Sequence, residues 1–138
     1  MSYLLDTNVL SEARKGARCD PAVAAWFGRQ AKAQIWTSAI VIGEIRRGIQ
    51  RMRGRDGAQA LVLERWLAQV KAELLGRILP VDERVAEVWG ALDAAEPLPT
   101  ADGLLAATAK VHRLTVVTRD LADIGRTGVP TLNPFVPA

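Results

Sequence analysis

Four acidic side chains stand where carboxylates can do chemistry. Asp6 ends the apolar run Tyr3-Leu4-Leu5, and Asp120 follows Val117-Thr118-Arg119. Asp102 opens an alanine- and leucine-rich stretch at Thr100-Ala101-Asp102-Gly103, and Glu44 lies among Ile40, Val41, Ile42 and Ile45. Each has an ordinary alternative. Aspartate is a frequent turn former, an acid in a first helical turn complements the macrodipole, and a buried glutamate is satisfied by a cation such as Arg46 or Arg47. As a set they say more. Converging carboxylates repel one another and desolvation raises their pKa values; a divalent cation removes both costs. Without histidine or cysteine in the set, hard oxygen donors point to Mg2+ or Mn2+ rather than zinc. Such an ion activates water and stabilises an in-line phosphoryl transition state. The lone His112 falls at the far end of the Asp102 stretch and reads as a surface or capping residue.

The elements needed to bring these acids together are legible. Tyr3-Leu4-Leu5, Ile35-Trp36-Thr37, Ile78-Leu79-Pro80-Val81 and Leu114 to Thr118 read as short buried strands, with Thr131-Leu132 as a final edge strand. Between them lie helical patterns. Residues 20–32 begin with Asp20 as N-cap and Pro21 at the first helical position, and place Val23, Trp26 and Phe27 on one face. A helix after Ser38 carries Ile42, Ile45 and Ile49 inward and ends near Gly54. Residues 57–75 repeat Leu63, Trp66, Leu67, Val70 and Leu74 at three- and four-residue spacing, with Gly76 as the stop. Asp82 caps a helix whose inner face is Val85, Val88, Trp89 and Leu92, and residues 100–112 are helical by propensity. Alternating strands and helices predict an α/β fold: a mostly parallel central sheet of four to five strands with helices on both faces. In such sheets ligands bind outside the carboxyl ends of the strands, the edge at which Asp6 and Asp120 stand.

Composition bounds the rest. A chain of 138 residues, 49% hydrophobic and 24% charged, reads as one globular domain over 1–138. No apolar run approaches the roughly 20 residues of a membrane span. No secretory signal opens the chain, and Cys19 is the only cysteine, so a reducing, cytoplasmic setting is expected. The net charge is +3, and fourteen of the eighteen basic residues are arginine, whose planar fork suits phosphate. The balance permits a nucleic-acid partner.

Taken in order, Leu4-Leu5-Asp6-Thr7-Asn8-Val9-Leu10, Glu44-Ile45-Arg46-Arg47-Gly48, Thr100-Ala101-Asp102-Gly103-Leu104-Leu105-Ala106-Ala107-Thr108-Ala109 and Val117-Thr118-Arg119-Asp120 resemble the PIN domain. The likeness is to the VapC-type toxins of bacterial toxin–antitoxin pairs, including the FitB-like branch, which the ending Gly128-Val129-Pro130-Thr131-Leu132-Asn133-Pro134 is also similar to. It runs from residue 3 to about 135. The resemblance implies a metal-dependent ribonuclease that inhibits translation, an antitoxin that binds and blocks its site, and a toxin homodimer. The family's acids fall on Asp6, Glu44, Asp102 and Asp120, its supporting asparagine on Asn8, and a hydroxyl position on Thr118. Many relatives carry asparagine at the Asp120 position and an acid three residues on, where this chain has Asp123. The expectation is that Asp120 is the fourth acid and that Asp123 reaches an ion only through water or caps the turn.

Arg46, Arg47, Arg51, Arg53 and Arg55 fall within ten residues, just after Glu44. They read as a basic flank for RNA phosphates or an acidic antitoxin tail, or else as a solvated helix face. Arg119 is a separate phosphate-contact candidate, with neutralisation of the acid cluster as its alternative. Two other classes compete with the enzyme. A phospho-acceptor receiver domain wants an acidic pair after the first strand and a lysine after a late one; here Asp6 stands alone and Arg119-Asp120 follows the late strand. A PIN-like binding module without catalysis would not need all four acids intact.

Overall fold

The computed structural model describes residues 1–92 and 97–138. Among them, five strands form one wholly parallel sheet: β1 (Tyr3–Leu5), β2 (Ile35–Ser38), β3 (Ile78–Leu79), β4 (Thr115–Val117) and β5 (Thr131–Leu132), in the order β3-β2-β1-β4-β5. The strands are short and apolar because both faces are covered. Leu4 and Leu5 of β1 and Val116 and Val117 of β4 are at most 1% exposed. The chain builds outward from β1 through β2 to β3, then returns to the other side for β4 and β5. The order therefore reverses between β1 and β4, and that reversal opens a crevice at the carboxyl edge.

Among the described residues, seven α-helices flank the sheet: α1 (Thr7–Ala13), α2 (Pro21–Arg29), α3 (Ala39–Arg53), α4 (Gly57–Glu73), α5 (Glu83–Gly90), α6 (Thr100–His112) and α7 (Leu121–Gly125). Their starts follow the capping chemistry of the sequence. Asp20, Ser38, Asp56 and Asp82 each accept a backbone N–H of the first turn of α2, α3, α4 and α5. Helix α6 is the central one, with Leu105, Ala106, Ala107 and Ala109 almost wholly buried. Its small side chains let it lie close against its neighbours. Tyr3, Trp26 and Phe27 pack edge to face at 5.0 and 5.1 Å.

Three details depart from the sequence reading. Helix α1 begins directly after β1 and had no place in the expected element order; its seven residues are too few to show a helical period. On α3 the buried residues are Val41, Ile45 and Ile49, with Ile42 only partly covered. On α5 only Val85 is buried, and Trp89 is 41% exposed. Val88 and Leu92 are partly covered, Leu92 against the core, and Trp89 lies against Gly103 of α6, the helix on which α5 packs, with much of its ring left in solvent. A Cβ on Gly103 of α6 would come within 2.8 Å of the Trp89 indole nitrogen, so the close approach needs glycine there. His112 is exposed at the end of α6, as expected of a surface histidine.

Candidate active site

The crevice between β1 and β4 holds the acids. Asp6 leaves β1 with its own N–H donating to the Val117 carbonyl of β4 at 3.0 Å. It is the N-cap of α1: Oδ1 accepts the Thr7 N–H at 2.7 Å. Its Oδ2 accepts the Thr118 hydroxyl at 2.8 Å and the Asn8 amide at 3.4 Å. The side chain is 6% exposed. Burial pushes its pKa up, the Thr118 and Thr7 hydrogen bonds oppose that, and the charge of Asp120 adds to it.

Thr118 is the hub of this network. The residue is completely buried, and its one hydroxyl donates to Asp6 while accepting the Asp120 N–H at 2.9 Å and the Asn8 amide at 3.3 Å. Asn8 Oδ1 in turn accepts the Arg119 N–H at 3.2 Å. Residues from the exits of β1 and β4 thus fix one another. A threonine suits the task because its β-branch packs in the sheet while its hydroxyl serves as donor and twofold acceptor.

Asp102 enters from the first turn of α6, and Asp120 and Asp123 from α7. Asp120 is the N-cap of α7, accepting the Asp123 N–H at 3.3 Å. One carboxylate oxygen from each of Asp102, Asp120 and Asp123 lies within 4.8 Å of the others. Oxygens on opposite sides of an ion with bonds of about 2.1–2.5 Å lie about 4.2–5 Å apart, so the three can share one cation. Asp102 has its pKa pushed up to about 6, first by burial and then by the charges of Asp120, Asp6, Asp123 and Glu44. The charges of four other acids thus bear on Asp102.

Asp123 joins Asp120 within the same 4.8 Å group as Asp102, where the sequence reading expected it to reach an ion only through water or to cap the turn. Helix α7 explains it: Asp120 and Asp123 stand three apart on one face of a single helical turn. Asp123 Oδ1 also accepts Arg126 Nη2 at 2.9 Å. Glu44 differs in another way. It is exposed, not buried among isoleucines, because the buried stripe of α3 runs through Val41 and Ile45 and leaves Glu44 to one side. It accepts the Thr7 hydroxyl at 2.7 Å, and no arginine pairs with it among the described residues. Thr7 was not singled out in the sequence, although its place between Asp6 and Asn8 is the signal that could have found it.

The arginines divide. Arg46 and Arg53 both bond Glu64, Arg53 at 2.7 Å, and so tie α3 to α4. Arg46 is thus engaged away from the acids. Arg47 and Arg51 are exposed and stand three and seven residues beyond Glu44, on the same side of α3. Arg119 is exposed, with its guanidinium carbon 3.6 Å from the centroid of the Phe135 ring.

Comparison with known proteins agrees with this architecture. The family model described as PIN domain matches residues 3–128. The chain is 36% identical over 138 residues to Toxin FitB of Neisseria gonorrhoeae, covering 96% of this chain and 97% of that one. It is 36% identical over 141 residues to VapC ribonuclease Y4jK of Sinorhizobium fredii, covering 98% and 99%. Among solved structures, FitAB bound to an IR36 DNA fragment superposes with a TM-score of 0.88 at 33% identity, over 99% of this chain and 97% of that one. FitAcB from Neisseria gonorrhoeae gives 0.86 at 36% identity, over 96% and 98%. The chain belongs to the PIN-domain family, among the FitB-like members of its VapC branch.

Proposed function

We propose that this chain is the toxin of a type II toxin–antitoxin pair and acts as an Mg2+-dependent endoribonuclease that inhibits translation in the cytoplasm, held in check by a VapB-like antitoxin. The observation that carries the reading is the meeting of Asp102, Asp120 and Asp123 within 4.8 Å, beside the buried Asp6, at the carboxyl edge of a parallel sheet. The relatives named a toxin and a VapC ribonuclease support it, as does the superposition on FitAB and FitAcB. A homodimer is part of the proposal by family likeness. No helix among the described residues is long and apolar enough to cross a membrane.

The donor set fits a hard divalent ion. It contains only carboxylate oxygens, and the burial and neighbouring negative charges that push the Asp102 pKa up are costs that a cation would relieve. A bound Mg2+ or Mn2+ supplies charge to the phosphoryl group and acidifies water. Asp102, Asp120 and Asp123 would hold it, with Asp6 behind them. Thr118 and Asn8 keep the Asp6 carboxylate oriented and, through hydrogen bonds to its N–H donors, fix the main chain at residues 119 and 120. Thr7 holds Glu44 at the rim, where it adds negative charge and is a candidate to accept a proton from water. Arg47 and Arg51 offer phosphate contacts along α3.

Cleavage of a labelled single-stranded RNA by the purified chain tests the reading. Cleavage is expected with Mg2+, to cease in excess EDTA and to return when Mg2+ is restored. Undiminished cleavage in EDTA would contradict it.

Asp120 and Asp123 are expected to differ in degree. Asp120→Asn should lower cleavage by about a hundredfold or more, the scale of losing one charge-stabilising group from a transition state. Asp123→Asn should weaken ion binding yet cost less, because Arg126 already offsets part of its charge. Steady-state rates over an Mg2+ titration separate the two. A larger loss in Asp123→Asn would reverse their roles.

A further inference from the structure

Arg119 is exposed and adjoins Asp120 in the chain. It stands two residues past β4, beside the acids, yet it forms no ion pair with any of them among the described residues. The charges named as acting on Asp102 are all negative, and Arg119 is not among them. Its own charge bears on Glu12, but Glu12 is already bonded by Lys15 Nζ and by the Asp20 N–H, each at 2.9 Å.

Two contacts hold Arg119 in place instead. Its N–H donates to Asn8 Oδ1, and its guanidinium lies over the face of Phe135. The reason is topological. β4 and β5 are parallel neighbours, and the Thr118 N–H donates to the Leu132 carbonyl at 2.9 Å. The segments leaving both strands therefore emerge side by side at the edge that carries the acids. Asn133 then turns the tail: its Oδ1 accepts the Phe135 N–H at 3.0 Å, which presents the ring beneath the arginine. A guanidinium held by its face keeps its N–H edge free, and the Arg119 side chain donates no hydrogen bond among the described residues. A fixed, exposed, unpaired fork of donors suits a phosphate.

We propose that Phe135 is a positioning residue that sets Arg119 as the ligand of an RNA phosphate flanking the scissile one, at the β4–β5 side of the acid cluster. This rests on the ribonuclease reading. A flanking phosphate is the one specified, because a cation serving the scissile phosphate would have to stand among the acids.

The test compares Arg119→Gln, Phe135→Leu, Phe135→Tyr and the double variant Arg119→Gln/Phe135→Leu. Binding of a labelled single-stranded RNA is followed by anisotropy in EDTA at several salt concentrations, and cleavage kinetics are measured with Mg2+. Arg119→Gln is expected to raise KM with kcat little changed, and to lower the salt slope by about 0.7, the loss of one phosphate contact on a single strand. Phe135→Leu should shift KM the same way, Phe135→Tyr should restore it, and the double variant should be no worse than Arg119→Gln. Additive losses, an unchanged KM in Phe135→Leu, or a Phe135→Tyr as impaired as Phe135→Leu would overturn the proposal. So would variants that bind RNA normally but lose affinity for a purified antitoxin, since the fork would then serve a protein partner. If the wild type cleaves RNA while these variants match it, only this proposal fails. If the wild type neither binds nor cleaves RNA, the ribonuclease reading fails with it.

Discussion

Replacing Asp102 with asparagine is expected to lower RNA cleavage by at least about a thousandfold, the upper scale for removing one electrostatic contributor to a transition state, while making the ion-free protein more stable at neutral pH. The two effects share one cause. Asp102 has a pKa of about 6 against an ordinary 3.8, because burial and the charges of Asp120, Asp6, Asp123 and Glu44 penalise its ionised form. The folded chain therefore holds that proton more tightly than the unfolded chain does. By linkage, stability falls as the pH rises from near 3.8 through about 6, and the full cost is present above that window. Asparagine keeps the shape without the charge. Its advantage should be absent below pH 3.8 and complete above 6. Millimolar Mg2+ should invert the ranking, because the wild type gains stability from an ion that the variant binds poorly. Thermal melts at pH 4 and 7.5, with and without Mg2+, check this. An active variant, or one that is less stable in EDTA at pH 7.5, would contradict the role of Asp102.

Thr118→Val should strike stability as well as rate. Valine matches threonine in shape but offers no hydroxyl. Three groups lose a partner at once: Asp6 Oδ2, the Asp120 N–H and the Asn8 amide. Each unmet buried group costs about 1–3 kcal/mol, and these are only partly shielded from water, so a total loss of about 2–4 kcal/mol is expected. Asp6 also loses the strongest influence holding its pKa down, which moves it toward protonation and away from an ion. Cleavage should fall by about tenfold to a hundredfold, and Thr118→Ser, which keeps the hydroxyl, should recover most of it. Urea unfolding in EDTA together with cleavage rates in Mg2+ provides the measurement. A Thr118→Val protein with wild-type stability would mean that the hydroxyl network is incidental.

The parts of the site that were legible in the sequence are those fixed by strand polarity. Asp6 and Asp120 each follow an apolar run, and parallel strands bring such residues to one edge whatever the helices do. Asp102 was legible because a propensity-rich helix begins just before it. The remainder depended on rotation and on length. Glu44 seemed buried from its neighbours, but each helical residue turns by about 100°, so Val41 and Ile45 are inside while Glu44 is at the rim. Asp123 could not be placed without knowing that residues 121–125 form a helical turn, and five residues carry no readable period. Helix α1 was hidden for a related reason, since its N-cap is the site aspartate itself. Trp89 matched an inner-face spacing and does lie against Gly103 of α6, but its 41% exposure depends on how α5 rides on α6, which spacing does not give. Phe135 sits in a tail without periodicity, and only the pairing of β4 with β5 brings it to Arg119.

The central claim is that these carboxylates form one site for a hard divalent ion, and calorimetric titration of Mn2+ or Mg2+ into the purified, metal-free chain tests it most directly. Because protons compete for the same oxygens and Asp102 titrates near 6, saturable binding should be clear at pH 7.5 and several-fold weaker at pH 5.5. Proton release per ion bound should be small at pH 7.5 and rise as the pH falls through about 6, and Asp102→Asn should abolish the strong phase. Saturable binding at pH 7.5 that depends on these acids is what the account predicts. No binding at millimolar ion, or binding indifferent both to pH and to loss of the Asp102 charge, would contradict it.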